Sequence, residues 1–237
     1  MNFILQEPPI NSGEAISVKS FEMIHAEAVT YKGFERFDAN ERALVERLIH
    51  TTTCFEQVIE NIYFSPNAML KLKELLERKA KLIVDTNMIR SGLSKFYLDK
   101  YENEVICYVN DPEAFEMAKQ NGTTRSYAAV ELAIEKFKDE PMVLACGNAP
   151  TYIYAAINAL IKHKINLDNI ILLLFPVGFV NVIESKEYGR AFIEQFGCEG
   201  IILEGRYGAS TMVVASLHAA YRLIKDYDSE FGKYNGK

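Results

Sequence analysis

Five short runs of apolar residues, separated by stretches with helical periodicity, constrain the fold of this chain more than any other feature. The runs are KLIVD at 81–85, EVICYV at 104–109, MVLAC at 142–146, NIILLLF at 169–175 and GIIL at 200–203. Strands that are covered by helices on both faces have unbroken apolar sequences of this kind, whereas half-exposed strands alternate. The runs therefore predict the central strands of a parallel sheet.

The stretches between these runs carry apolar residues at the spacing of an amphipathic helix. They predict helices over Pro112–Gln120, Ser126–Lys138, Thr151–Lys164, Glu184–Phe196 and Ser210–Lys225. Regular alternation of strand and helix is typical of a three-layer α/β/α sandwich with right-handed crossovers. We expect about five mainly parallel strands in a single domain over residues 1–237.

The first 80 residues have a different pattern, which predicts helices without strands. Asp38 and Glu41 form a capping-box signature ahead of a helix over Glu41–His50. A second helix is predicted over Ser65–Lys79, with Pro66 at its first position. We expect residues 1–80 to be an N-terminal helical extension packed on an α/β core over 81–225.

Composition excludes several classes of protein. The 237 residues carry a net charge of −6, which argues against nucleic acid as a partner. The four cysteines form no CxxC pair, as expected for reduced thiols. The first residues lack the basic region of a signal peptide, and the longest apolar run is too short to span a membrane. We therefore expect a cytoplasmic protein with no membrane partner.

Chemistry in such a sheet is expected at the carboxyl ends of its strands. The segments that follow the five runs are rich in Gly, Pro, Asn and Arg; they are 85–92, 110–112, 147–151, 176–186 and 205–210. Arg90 and Arg206 supply forked donors suited to carboxylates. Any one segment is better interpreted as an ordinary turn, but five at one edge indicate a binding site for a large, multiply anionic ligand. The phosphate-binding patterns GxGxxG and GxxxxGK[ST] are absent from the sequence.

Among the four histidines, His50 is the candidate functional residue. It ends an amphipathic helix and precedes Thr51, Thr52 and Thr53, whose β-branched side chains favour a helix poorly. Their hydroxyls could instead hydrogen-bond a ring nitrogen and fix its tautomer. On the residues alone, a functional and a structural role for His50 are equally open. The other histidines lie far apart in sequence, and we predict no metal site.

Several segments together resemble the precorrin-8X methylmutase (precorrin isomerase) family. They are Ser20–Ile24, His50–Thr52, Asp85–Gly92, Asn121–Ser126, Gly147–Thr151 (GNAPT), Pro176–Val180 (PVGFV) with Glu184–Lys186, and Gly205–Gly208. They occur in the order of the family, between Ser20 and Tyr221. The resemblance implies a flavodoxin-like fold and the activity of an isomerase of cobalamin biosynthesis.

The resemblance also implies a reaction and a mechanism. A methyl group would move from C-11 to C-12 of precorrin-8 or cobalt-precorrin-8, giving hydrogenobyrinate or cobyrinate. Because the shift is intramolecular, no cofactor is implied. His50 would act as the general acid toward a ring nitrogen. Family members are homodimers that build the site across the interface, so we expect a homodimer. The motifs serve substrates with and without cobalt.

Four cationic residues are expected to bind substrate carboxylates: Arg90, Arg125, Lys186 and Arg206. For Arg125 and Lys186, a surface ion pair is the alternative. The other residues expected to bind substrate are polar, small or apolar; they are Ser20, Thr51, Thr52, Asp85, Thr86, Met88, Ser91, Ser126, Asn148, Ala149, Pro150, Gly178 and Phe179.

The sequence departs from the family pattern at three places. Thr53-Cys54 replaces a small residue followed by Asp, Tyr207 and Ala209 replace a basic residue and a glycine, and His218 replaces Asn. These departures leave a non-catalytic tetrapyrrole-binding paralogue or carrier as an alternative function. An unrelated α/β enzyme with a nucleotide ligand is a third, which the missing phosphate motif disfavours.

Overall fold

A computed structural model describes residues 9–10 and 12–224, and it contains a six-stranded sheet between two layers of helices. The strands are β1 (Ile62–Phe64), β2 (Lys81–Val84), β3 (Val105–Ile106), β4 (Met142–Cys146), β5 (Ile170–Leu174) and β6 (Glu199–Leu203). The helices before β4 are α1 (Gly13–Ala28), α2 (Ala39–Thr52), α3 (Phe55–Asn61), α4 (Ala68–Glu77), α5 (Asn87–Gly92), α6 (Lys95–Tyr101), α7 (Pro112–Asn121) and α8 (Arg125–Lys136). The helices after β4 are α9 (Pro150–Lys162), α10 (Val182–Phe196) and α11 (Ser210–Leu223).

The sheet order is β1-β6-β5-β4-β2-β3, with β2 to β6 parallel to one another. The five parallel strands follow the flavodoxin-like order, whose switch point lies between β2 and β4. In the middle of the sheet, Val143 of β4 lies beside Leu82 of β2 on one side and Ile171 of β5 on the other. The expected α/β sandwich is therefore confirmed, and its switch point places any crevice between the ends of β2 and β4.

Two large apolar clusters cover the two faces of the sheet. Alternate residues of each strand enter different clusters: Leu82 and Val143 pack with α2, α4 and α11, whereas Ile83 and Leu144 pack with α8 and α9. Each β4 residue is buried. Because both faces are covered, the strands need no polar residues, which is why they could be recognised as unbroken apolar runs.

The N-terminal part differs from the sequence-based expectation. It contains a strand, β1, which pairs antiparallel with β6 so that Ile62 lies opposite Leu203. Helix α4 begins at Ala68 and not at Ser65, because the Ser65 hydroxyl donates to Glu199 at the start of β6. Both elements fall within residues 1–80. Strand β1 belongs to the central sheet, and α4 packs in the same apolar cluster as α11. Residues 1–8, 11 and 225–237 lie outside the described residues, as does the predicted helix end at Lys225.

The predicted capping box at the start of α2 is confirmed. Asp38 accepts a bond from the Glu41 N–H over 2.8 Å, and the Glu41 carboxylate accepts one from the Asp38 N–H over 3.0 Å. Two of the donors left free at the helix start are thereby satisfied. The cap fixes where α2 starts, and His50 lies three turns further on in the same helix.

Candidate active site

A buried carboxylate joins the two strands at the switch point. Asp85 follows β2 directly and is 3% exposed. Its Oδ1 accepts the N–H of Gly147 over 3.0 Å, and its Oδ2 accepts the N–H groups of Asn148 and Ala149 over 2.7 Å each. Burial raises the pKa of Asp85, and the backbone N–H donors oppose that rise. The sequence predicts substrate contact for Asp85; in the structure its carboxylate holds the loop that carries Asn148.

A second set of contacts brings the start of α11 to the same edge. The hydroxyls of Thr86 and Ser210 form a hydrogen bond over 3.0 Å. Thr86 also caps α5 by accepting the Ile89 N–H. A Cβ on Gly147 would lie 2.5 Å from the Ser210 Cα. Glycine is therefore required here, because the loop after β4 lies directly against the start of α11. The ends of β2 and β4 and the beginning of α11 form one packed unit.

Lys186 of α10 differs from the sequence-based expectation. The sequence predicts carboxylate binding or a surface ion pair, but this side chain is buried and 1% exposed. Its ammonium donates to the carbonyls of Gly205 and Tyr207, each over 2.8 Å. Burial lowers the pKa of Lys186 to about 8. Lys186 thus fixes the loop after β6 through two of its backbone carbonyls.

That loop presents Arg206 to solvent beside an exposed aromatic ring. The Arg206 guanidinium lies 5.5 Å from the centre of the Phe179 ring, and Phe179 is 83% exposed. The Gly178 N–H donates to the Arg206 carbonyl over 3.3 Å, which joins the loops after β5 and β6. Together, the guanidinium can donate hydrogen bonds to a carboxylate, and the exposed ring can pack on an apolar face of the same ligand. The two predicted residues are brought together here.

His50 lies exposed near the end of α2, in a setting made by α1. Its ring is parallel to that of Phe21, with the ring centres 4.9 Å apart and the planes at 6°. His50 and Ser20 line the same open cavity of about 200 Å³, together with Met23, Glu27 and Thr53. Stacking on Phe21 sets the plane of the imidazole while leaving the ring accessible.

The threonines after His50 hydrogen-bond backbone carbonyls and not the His50 ring, which the sequence left open as a partner. Thr51 donates its hydroxyl to the Arg47 carbonyl over 2.9 Å, and Thr52 donates to the Leu48 carbonyl over 2.8 Å. Helix α2 therefore continues through both residues and is capped by Thr53, which has a left-handed backbone with φ of 58°. Hydroxyls that return to the preceding turn are a local alternative open to any helical threonine.

Two arginines missed by the sequence analysis act on His50 electrostatically. Partial burial lowers the pKa of His50, and the charges of Arg47 and Arg222 lower it further. Arg47 precedes His50 by one helical turn, so the spacing could have revealed it. Arg222 comes from α11, and local sequence carries no signal for this contact.

His218, one turn before Arg222 on α11, is held neutral. Its Nε2 accepts the Ser94 N–H over 3.1 Å, which requires an unprotonated nitrogen. Burial lowers the pKa of His218 to about 4, and Arg47 and Arg222 contribute to the shift. His218 is therefore a neutral acceptor that holds the segment between α5 and α6, and its Nε2 carries no proton at neutral pH.

The remaining predicted residues lie on exposed or half-exposed surfaces of α5, α8 and α9. Helix α5 presents Met88, Arg90 and Ser91 to solvent and packs on α11. The remaining three residues lie at helix starts: Arg125 and Ser126 begin α8, and Pro150 begins α9. These two starts are joined by the hydroxyls of Thr124 and Thr151 over 2.7 Å.

The arrangement offers cationic groups, an accessible imidazole and exposed apolar side chains. It suits acid–base chemistry on a large anionic molecule. Across residues 9–10 and 12–224, no three His, Cys, Asp or Glu side chains come together in a way that could hold a metal ion. Within the same ranges, each helix is too short or too polar to cross a bilayer.

The fold defines a doubly wound α/β protein, with a candidate site at the carboxyl edge of its sheet. The model of the precorrin-8X methylmutase family matches residues 15–223. A precorrin-8X methylmutase from Sinorhizobium sp. is 34% identical over 214 residues, covering 90% of this chain and 96% of the relative. A cobalt-precorrin-8 methylmutase from Salmonella typhimurium is 32% identical over 177 residues, covering 75% and 79%.

A solved structure agrees with these sequence comparisons. The precorrin-8x methyl mutase from Thermus thermophilus superimposes with a TM-score of 0.77 at 37% identity, covering 89% of this chain and 96% of that one. The chain belongs to the precorrin-8X methylmutase family. It is accordingly an isomerase of cobalamin biosynthesis.

Proposed function

We propose that this enzyme moves a methyl group from C-11 to C-12 of precorrin-8 or cobalt-precorrin-8, giving hydrogenobyrinate or cobyrinate. The placement of His50 carries the proposal: an accessible imidazole, stacked on Phe21, lies at an open cavity under the field of Arg47 and Arg222. The reaction is an isomerisation, so the bond to C-11 breaks as the bond to C-12 forms. His50 lends a proton to a ring nitrogen, and the macrocycle returns one afterwards.

Electrostatics provide the means of charging this acid. In the free protein the pKa of His50 lies below 6.5, because burial and two arginines disfavour the imidazolium. Substrate carboxylates that pair with Arg47 and Arg222 would cancel this repulsion and favour the charged ring. Substrate binding would thus favour uptake of a proton from solvent by the general acid. General acid catalysis of this kind contributes roughly 10²–10⁴-fold.

Substrate carboxylates are also the proposed ligands of the exposed arginines Arg90, Arg125 and Arg206. Arg206 has the strongest support, since Lys186 fixes its loop and Phe179 lies beside it. The Phe179 ring, 83% exposed, offers a flat apolar surface to a macrocycle.

We further propose that a second copy of the chain completes the site. Large apolar side chains are strongly exposed near the candidate site: Phe179 at 83%, Val180 at 77%, Met88 at 64% and Met23 at 62%. Exposed apolar surface of this kind marks an interaction site. Light scattering after size exclusion tests the proposal, with a dimer mass expected. A monomer at micromolar concentration would contradict it.

The function is tested by following the visible spectrum after anaerobic mixing with precorrin-8 or cobalt-precorrin-8. Catalytic conversion is expected, and the substrate that is converted faster shows whether the natural substrate carries cobalt. His50→Ala is expected to abolish conversion while retaining binding, whereas His163→Ala, at the end of α9, serves as the matched control. A spectral change that stops at one equivalent would instead indicate the non-catalytic binder, and full activity of His50→Ala would remove His50 from the mechanism.

A further inference from the structure

Two contacts, one helical turn apart, join α1 to α2 beside the candidate site. The Phe21 ring of α1 stacks on the His50 ring of α2, with the ring centres 4.9 Å apart. One turn further along α1, the His25 Nδ1 lies 2.7 Å from a carboxylate oxygen of Glu46, which precedes His50 by one turn on α2. Residues four apart lie on one face of a helix. The two helices therefore run in opposite directions along this face and are joined at two levels, about 6 Å apart.

The contact between His25 and Glu46 joins a half-exposed ring to a buried carboxylate. The Glu46 side chain is 5% exposed, and the His25 side chain is 56% exposed. An ionised carboxylate only accepts hydrogen bonds, so the His25 Nδ1 donates to it. The buried ring of Phe34 lies nearly perpendicular to the His25 imidazole, with the ring centres 6.3 Å apart. Both partners are therefore held in place, and a bond to a buried carboxylate is screened by water less than a surface ion pair.

Helix α1 depends on such a contact because it buries few apolar side chains. Of its 16 residues, the buried ones are Phe21, Ile24 and Ala28. Ile16 is 50% exposed and Val18 is 52% exposed. The main packing partner of α1 is α2. A narrow apolar stripe against one neighbouring helix constrains the rotation of α1 about its axis only weakly, and a polar contact one turn from Phe21 restricts that rotation.

We propose that Glu46 is a positioning residue, which sets the rotation of α1 through its bond to His25. That rotation holds the Phe21 ring over the His50 imidazole, and it places Ser20 at the cavity that His50 lines. This inference rests on the proposed role of His50. A general acid must lie within hydrogen-bonding reach of the reacting nitrogen, so a rotation of α1 that releases the imidazole reduces turnover more than affinity.

The activity test compares substitutions on α1. His25→Leu removes the donor, whereas His25→Asn offers an amide N–H near the place of Nδ1. Lys19→Leu is the matched control, because it removes an exposed ion pair with Glu22 on the same helix. Turnover is expected to fall about ten-fold in His25→Leu with substrate affinity within about two-fold of wild type, to return to within about two-fold in His25→Asn, and to stay unchanged in Lys19→Leu. Wild-type turnover in folded His25→Leu, parallel losses of turnover and affinity, or equal losses in both His25 variants would overturn the proposal.

A spectroscopic readout separates this proposal from the proposed function. A stacked Phe21 ring shifts the ring resonances of His50 in NMR spectra of the free protein, and Phe21→Leu gives their positions without that ring. In His25→Leu these resonances are expected to move toward those of Phe21→Leu, and in Lys19→Leu to stay at their wild-type positions.

The combined outcomes are distinct. If wild type shows no turnover and the His50 resonances move in His25→Leu, the proposed function fails and the positioning role stands. If wild type is active and the resonances do not move in His25→Leu, the positioning role fails and the function stands. Glu46→Met removes the acceptor from the α2 side, and it provides the same NMR comparison if His25→Leu does not fold.

Discussion

The backbone N–H of Asn148 donates to the Asp85 carboxylate over 2.7 Å, so that one hydrogen bond spans the switch point of the sheet. Asp85 follows β2, and Asn148 follows β4. At the place where a doubly wound sheet usually binds its ligand, the Asp85 carboxylate therefore holds the loop after β4 in position.

Asp85→Asn is expected to destabilise the protein by about 2–3 kcal/mol, because the amide nitrogen cannot accept the backbone N–H groups that a carboxylate oxygen accepts. Chemical denaturation measures the loss. The control is Asp111→Asn, at an exposed helix cap where the Glu113 N–H lies 2.9 Å from Oδ1. Since asparagine caps about as well, the control should lose less than about 0.5 kcal/mol. Equal effects in the two variants would refute the bracing role.

Lys186→Met is expected to cost about 2 kcal/mol in the free energy of unfolding and to loosen the Arg206 loop. Methionine fills the space of the stem but leaves the carbonyls of Gly205 and Tyr207 without their donor. Lys162→Met removes an exposed pair with Glu131 and should change stability by about 0.5 kcal/mol or less. Faster amide exchange over 205–209 is expected in Lys186→Met alone.

Stability should fall as the pH drops from 6.5 toward 4, because of His218. Its pKa is about 4 in the folded protein and 6.5 when unperturbed, so the unfolded chain binds the proton first and the free energy of unfolding decreases across this window. The full shift corresponds to about 3 kcal/mol. Denaturation curves at several pH values should show a shallower slope for His218→Asn. A slope equal to that of wild type would contradict the assignment, and His163→Asn is the control.

The pKa of His50 should rise when Arg47 is replaced. Arg47→Gln removes one of the charges that disfavour the imidazolium, whereas Arg36→Gln removes a charge that lies elsewhere, on the carbonyls of Ile59 and Ile62. An NMR titration of the His50 ring measures both. A high salt concentration should raise the wild-type pKa in the same direction, because it screens the repulsion. An unchanged titration in Arg47→Gln would mean that the charge of Arg47 does not contribute to the lowered pKa.

Sequence reasoning located the parallel strands to within a few residues, because burial on both faces leaves a continuous apolar run. It failed at β1, whose three residues Ile62–Phe64 are too few to form a recognisable pattern. It also placed the start of α4 three residues early, since the Ser65 hydroxyl is used by Glu199, a partner 134 residues away. Distant partners of this kind leave no local signal.

For the candidate site, too, sequence reasoning indicated some features and missed others. The Gly, Pro, Asn and Arg content of the strand ends correctly indicated where the loops lie. What Lys186 does could not be inferred, because its partners are backbone carbonyls and any residue type could supply them. The sequence left the His50 ring open as a partner for the hydroxyls of Thr51 and Thr52, whereas in the structure both donate to carbonyls of the preceding turn of α2.

The pairing of β1 with β6 means that the sheet can be completed only after nearly the whole chain has been synthesised. During synthesis, residues 62–64 emerge long before residues 199–203, so the first strand to be made waits for the last. Until then an apolar strand lacks its neighbour, a state that favours association with other chains. The Ser65–Glu199 contact lies beside this pairing, at the sheet edge opposite β3, and it needs both of these distant segments.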